Sequence, residues 1–217
     1  MAVAFRSIDG NSIGTQSTHT VTAPTGITDG DILIWGTNQD DGGGSTTITY
    51  PSGFTEIYDS GAGNHRFQCA WKRASSESGD YVATLASAKW SQSYLLCYSG
   101  AYATGDPQDA TAVTNSGNDA SPVGASISPA NSGSMLIELV SQVGANTGHT
   151  APSGMTERYD TSNLSANDEL LSSSGATGTR TGSGQNNSWI TVMIVLRAAA
   201  GGGTTTRRYS LSLTGVG

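Results

Sequence analysis

Pro51-Ser-Gly-Phe-Thr-Glu-Ile-Tyr-Asp59 and Pro152-Ser-Gly-Met-Thr-Glu-Arg-Tyr-Asp160 share seven of nine residues at a spacing of 101. Agreement of that length is an internal repeat, and neighbouring segments extend it in both directions. Gly30-Asp-Ile-Leu33-Ile precedes the first block and Gly133-Ser-Met-Leu136-Ile precedes the second, at an offset of 103. After the blocks come Gly79-Asp-Tyr81 and Gly178-Thr-Arg180. The closing stretches follow, Trp90-Ser-Gln-Ser-Tyr-Leu-Leu-Cys-Tyr98 and Trp189-Ile-Thr-Val-Met-Ile-Val-Leu-Arg197, both pairs at an offset of 99. The drift from 103 to 99 is the size of loop adjustments, so the chain is one unit written twice.

Apolar alternation and turn punctuation divide each half into about seven strands. In the first half they cover 4–8, 19–23, 32–37, 55–59, 66–72, 81–86 and 91–98. In the second they cover 110–114, 124–128, 135–141, 156–161, 168–172, 179–181 and 190–197. Asp-Gly, Gly-Gly and Pro-Ser-Gly clusters between them supply the positive φ that tight connections need. No stretch has a sustained 3.6-residue apolar period with caps, so helix content is expected to be very low. Stretches 94–98 and 190–196 are apolar on both faces and must be covered on both. The expectation is an all-β fold. Residues 1–200 form one antiparallel β-sandwich with pseudo-twofold character, from halves of about 1–105 and 106–200. Two tandem sandwiches are the alternative.

Composition agrees with that fold and narrows the function. Asp, Glu, Lys and Arg make up 12% of the 217 residues, about half the usual share, while Ser, Thr and Gly account for 86. Thr suits a pleated surface, and Ser and Gly suit turns. The net charge of −7, with Lys72 and Lys89 as the two lysines, opposes nucleic-acid and anionic-membrane partners. The longest apolar run, Ile190-Thr-Val-Met-Ile-Val-Leu196, is far shorter than a membrane span. The opening Met1-Ala-Val-Ala-Phe-Arg6 has no basic segment followed by a long apolar one, so a cytoplasmic product without a secretory signal is expected. Cys69 and Cys97 each sit in an apolar strand pattern. Two buried free thiols are the favoured reading and a disulfide the alternative.

Chemistry-bearing residues are sparse. Asp40-Asp41-Gly-Gly-Gly44 places two carboxylates on a glycine loop, but calcium loops alternate more oxygens, so a solvated hairpin tip is read instead. Asp29-Gly30-Asp31 reads as the turn into strand 32–37. Glu56 and Glu157 suggest the paired carboxylates of a glycosidase. Their equivalence by repetition points instead to a shared structural role. His19, His65 and His149 are isolated in sequence, and no serine sits in a nucleophile-elbow context. No catalytic set, metal or cofactor is assigned. Of the four tryptophans, Trp90 and Trp189 recur in register and read as packing residues. Trp35 and Trp71 lack counterparts and are the candidates for an exposed binding face, which a glycan could stack on.

From residue 201 the texture changes. Gly201-Gly-Gly-Thr-Thr-Thr206 is a linker by composition. Arg207 and Arg208 follow, and then Tyr209, Leu211 and Leu213 alternate with Ser210, Ser212 and Thr214. The extended tail 201–217 therefore encodes a strand with one apolar face, suited to joining a neighbour's sheet, and Arg207, Arg208, Tyr209, Leu211 and Leu213 are its partner-binding candidates.

The Pro152–Asp160 block, Ala176-Thr-Gly-Thr-Arg-Thr181 and the Trp189 strand ending in Leu196-Arg-Ala together resemble a broad group of jelly-roll proteins found among phage virion proteins and bacterial surface proteins. The likeness spans nearly residues 1–200. The ending Ser212-Leu-Thr-Gly-Val-Gly217 looks like the C-termini of some marine phage structural proteins. The resemblance implies a jelly-roll-like sandwich without catalytic residues, located in the virion. Its role would be a capsid decoration or cement protein, or a tail accessory. Its partners would be the major capsid protein or neighbouring subunits, and homo-oligomers are expected. A carbohydrate-binding adhesin or tail-fibre receptor-binding module is the alternative.

Overall fold

Each doubly apolar stretch becomes an interior strand, paired on both sides within its sheet. The computed structural model describes residues 2–40, 46–62, 65–144, 148–161 and 163–199, and none of these is helical. The first half forms β1 (Ala4–Val21), β2 (Ile32–Asp40), β3 (Ile48–Thr49), β4 (Thr55–Ala62), β5 (His65–Arg73) and β6 (Tyr81–Ser99). The second forms β7 (Gln108–Asp119), β8 (Val123–Gly124), β9 (Met135–Gln142), β10 (Thr156–Asp160), β11 (Leu164–Leu170), β12 (Arg180–Thr181) and β13 (Asn187–Leu196).

The strand order is β1-β6-β2-β5-β4 in the first sheet, with β3 added on β6, and β7-β13-β9-β11-β10 in the second. These are the same order with each strand replaced by its repeat counterpart. The repeat extends to individual bonds. Gly30 and Gly133 both have positive φ, at 92° and 74°, and their N–H groups donate to Ala74 and Leu171 carbonyls at 2.9 and 2.8 Å. Gly53 and Gly154, at φ 85° and 89°, close matching turns in which Phe54 and Met155 donate to Pro51 and Pro152. Each edge strand carries a β-bulge at the same place, between Glu56 and Tyr58 and between Glu157 and Tyr159.

The two sheets pack face to face. Their shared core joins Ile32, Ile34, Phe67, Tyr94, Leu96 and Tyr98 to Ile137, Leu139, Leu164, Val192, Ile194 and Leu196. The result is an all-β antiparallel sandwich of two repeated halves. One sheet is wired entirely from each half, so consecutive strands do not alternate between sheets as they do in a jelly roll.

The outer faces are covered as well. On the first sheet, Leu33, Trp35, Leu95 and Cys97 pack under Val21, Tyr81, Ala83 and the half-buried Ile27, Ile48 and Phe54. On the second, Leu136, Met193 and Val195 pack under Ile127, Leu171 and Met155. The Pro-Ser-Gly turn thus recurs for a reason: it swings its next residue, Phe54 or Met155, onto its own sheet's outer core.

The separate strands expected at 4–8 and 19–23, and at 81–86 and 91–98, are instead continuous as β1 and β6. Gln16 faces Lys89 while Thr18 faces Thr84, so residues 85–88 bulge away from β1. The ribbon beyond the bulge covers the outer face, which the local sequence reads as a break. In the second half the break is real, and the β8–β12 ribbon takes the covering role. Cys69 lies in the shared core and Cys97 in the outer core of the first sheet, so both are free thiols on opposite faces.

Polar side chains also tie the sheets together. Arg158 donates to the buried Asp168 at 2.9 Å, and the Tyr98 hydroxyl donates to the same carboxylate at 3.2 Å across the interface. The Arg158 guanidinium lies 4.5 Å from the Phe5 ring centre. Thr161 donates to Gln92 at 2.7 Å. Arg158→Ala leaves the Asp168 carboxylate buried without its cation and should lower unfolding free energy by about 3 kcal/mol. Arg158→Met with Asp168→Asn should lose less. Urea denaturation showing the double variant weaker than the single would contradict this account.

Candidate functional site

The tryptophans proposed as a binding face are placed otherwise by the fold. Trp35 is fully buried on the outer face of the first sheet, with its ring edge-on to Phe54 at 6.3 Å. Its indole N–H donates to Thr37 Oγ1 at 2.6 Å, and Thr37 bonds Ser93 at 2.8 Å. It is therefore a core residue and not an exposed one. The covering ribbon arrives from residues 48–54 and 81–83, which local pattern does not predict. Trp71 is half-buried against the shared core. The two do not meet on one face: Trp35 belongs to the outer core and Trp71 to the inner.

Trp90 and Trp189 correspond in sequence but not in space. Gln39 and Gln142, each nine residues after its turn glycine, face Ser91 and Trp189 respectively. The spatial counterpart of Trp189 is therefore Ser91, and a one-residue slip turns the two indoles to opposite faces. Trp189 is buried with its ring against Gly117 of β7 and donates to Asp119 at 3.1 Å. Trp90 falls on the same side as Tyr94 and Tyr98.

His19 and Ser91, 72 residues apart, come together with His19 Nε2 at 2.8 Å from Ser91 Oγ. The pair has the outline of a base and nucleophile, which sequence spacing does not reveal. The bonds run the other way. The Ser91 hydroxyl donates to the Lys89 carbonyl at 2.9 Å, so it accepts from His19 Nε2–H. Nδ1 then meets the Gln16 amide at 3.4 Å, where a catalytic histidine would carry its N–H to an orienting acceptor. Both residues are fully buried, so the pair ties β1 to β6. His149 is buried beside Asp160, with Nδ1 at 3.4 Å. Burial holds its pKa below the usual value, against the raising effect of Asp160.

Glu56 and Glu157 sit exposed at equivalent bulges on different sheets, as repeated structural positions do. Asp31, from the expected turn, is buried. It accepts from Arg6 at 2.7 Å and from the Thr28 backbone at 2.9 Å. Residues 41–44 of the glycine loop, and the tail candidates Arg207, Arg208, Tyr209, Leu211 and Leu213, lie outside the described residues.

The buried carboxyl of Glu138 is a group that sequence reading passed over, because it interrupts an apolar strand with a single charge. It occupies the place on the second sheet that Trp35 holds on the first, five residues after the turn glycine. It is 1% exposed and accepts from the Asn167 amide at 3.0 Å under the β8–β12 ribbon. Burial raises its pKa to about 7, against the Asn167 hydrogen bond, the Gly124 backbone and Arg180, which favour the charged form. Arg180 itself is engaged by Glu169 at 2.7 Å.

Comparison with protein-family models, with curated proteins and with solved structures finds no match to this chain.

Trp35→Ala should destabilise the fold by about 3–5 kcal/mol, as a core truncation does, and chemical denaturation measures it. Glu138 makes a pH prediction. Above pH 4.5 an unfolded chain has released this proton while the folded protein keeps it up to about pH 7. The Glu138 contribution to stability should therefore fall by about 3 kcal/mol as pH rises through that window and stay constant above it. Glu138→Gln should remove this component, so a difference curve of wild type minus variant that stays level across the same window would refute it.

Proposed function

We propose that this protein is a virion structural component, a capsid decoration or cement protein that coats or stabilises a phage particle through protein–protein contacts. The observation that carries this reading is how the fold uses its buried polar groups. Arg158–Asp168–Tyr98, Arg6–Asp31 and Gln16–His19–Ser91 all bind strand to strand or sheet to sheet. A site built for turnover leaves such groups facing a substrate; here they are committed to rigidity. The hydroxyl-rich, weakly charged surface suits a subunit that meets neighbours over broad areas.

On this reading the tail strand, with Arg207, Arg208, Tyr209, Leu211 and Leu213, engages the major capsid protein or an adjacent copy, and the assembly is a symmetric homo-oligomer. The adhesin alternative draws on Trp35 and Trp71 as a stacking platform, and Trp35 is buried and takes no part in one.

Deleting residues 201–217 should leave the sandwich folded, with its strand signature retained in circular dichroism, and lower its occupancy on purified particles by about tenfold or more. Quantitative immunolabelling of virions reads this directly. Equal occupancy by the truncated and full chains would reject the tail as the attachment strand.

A further inference from the structure

A groove of about 410 Å³ opens at the end of the sandwich where both ends of the described chain emerge. Ala2, Gly133, Leu170, Leu171, Ala198 and Ala199 form most of its wall. The wall is held by backbone bonds from Val3 to Gly133 at 3.2 Å and from Ala199 to Gly100 at 2.9 Å, and by the bridge between Ala101 and Ala198. Leu170 continues the inward-facing row of Leu164, Ala166 and Asp168 on β11 and pairs with the buried Met135, yet it is 52% exposed. A residue of the core row is bare on one flank.

The chain supplies its own candidate cover. Residues 200–217 continue directly from Ala199, which is part of the groove wall. Residues 200–208 form a spacer that spans up to about 30 Å when extended. Tyr209, Leu211 and Leu213 then place apolar groups at every second residue, with Ser210 and Ser212 between them.

We infer that this groove holds the chain's own residues 209–213, with Tyr209, Leu211 and Leu213 turned toward Leu170 and Ala2. A segment on so short a tether meets its own groove at an effective concentration in the millimolar range, enough to hold a contact too weak to persist between separate chains. Ser210 and Ser212 then face solvent, as alternation along a strand requires. The inference rests on the reading of the tail as an interaction strand and adds where the free protein stores it. Attachment to a neighbour becomes an exchange, in which the neighbour's surface must outcompete the groove.

The test uses the full chain carrying Leu170→Cys with Leu211→Cys, beside a control carrying Leu170→Cys with Ser212→Cys. Both are treated in dilute solution with a short bifunctional maleimide. Cys69 and Cys97 are buried and burial raises both thiol pKa values, so neither competes. The expected result is an intrachain crosslink that forms several-fold faster in the Leu211→Cys protein than in the Ser212→Cys control. Leu211→Ser with Leu213→Ser should also raise hydrogen exchange at residues 132–133 and 170–172. Equal crosslinking of the two proteins, product formed between chains, or unchanged exchange would each overturn the assignment. If crosslinking is equal while deletion of 201–217 still strips the protein from particles, the groove is wrong and the attachment strand stands.

Discussion

The constraint on which this structure depends is that its central strands are apolar on both faces. β2, β9, β13 and the second part of β6 are buried along almost their whole length. One apolar face of each sheet is satisfied by the other sheet. The second face needs a separate cover, and each half builds one from its own chain: the far end of the β1–β6 ribbon in one case and the β8–β12 ribbon in the other. The fold is therefore four layers deep, with three apolar seams. The Pro-Ser-Gly turn recurs because it delivers a side chain to an outer seam in both halves.

Within that common plan the halves have diverged in how they fill equivalent positions. The place of Trp35 is taken by Glu138, so an indole bonded to a threonine corresponds to a carboxyl bonded to an asparagine. The indole closes its seam with apolar bulk. The carboxyl closes the other seam at the expense of a charge that burial disfavours. Trp71 and Asp168 are likewise counterparts, since they face Thr55 and Thr156 across equivalent edge pairs. Asp168 then recruits Arg158 and Tyr98 to the sheet interface. The polar interior is asymmetric where the backbone is not.

These placements bear on function through what they leave at the surface. Asp31 and Asp168 are engaged in ties, the large aromatic rings are mostly drawn inward, and the outer surface is dominated by hydroxyls and short turns. On the reading proposed above, the protein would meet its neighbours by shape and through residues 201–217, and the groove beside Ala199 lies where the described chain ends.

The all-β class, the repeat and the need to cover doubly apolar strands follow from sequence alone, because a two-residue period and turn glycines are local properties. So does the separation of Cys69 and Cys97 from metal-ligand patterns. Which residues are buried was decided by tertiary structure. Trp35 reads as a candidate for exposure until the distant ribbon carrying Tyr81 and Ala83 closes over it. Trp90 and Trp189 read as equivalents until strand pairing shifts them by one residue, and in a strand one residue reverses the face. The His19–Ser91 pair and the position of Glu138 depend in the same way on register between strands far apart in sequence, which hydrogen bonding and packing set together and no local window contains.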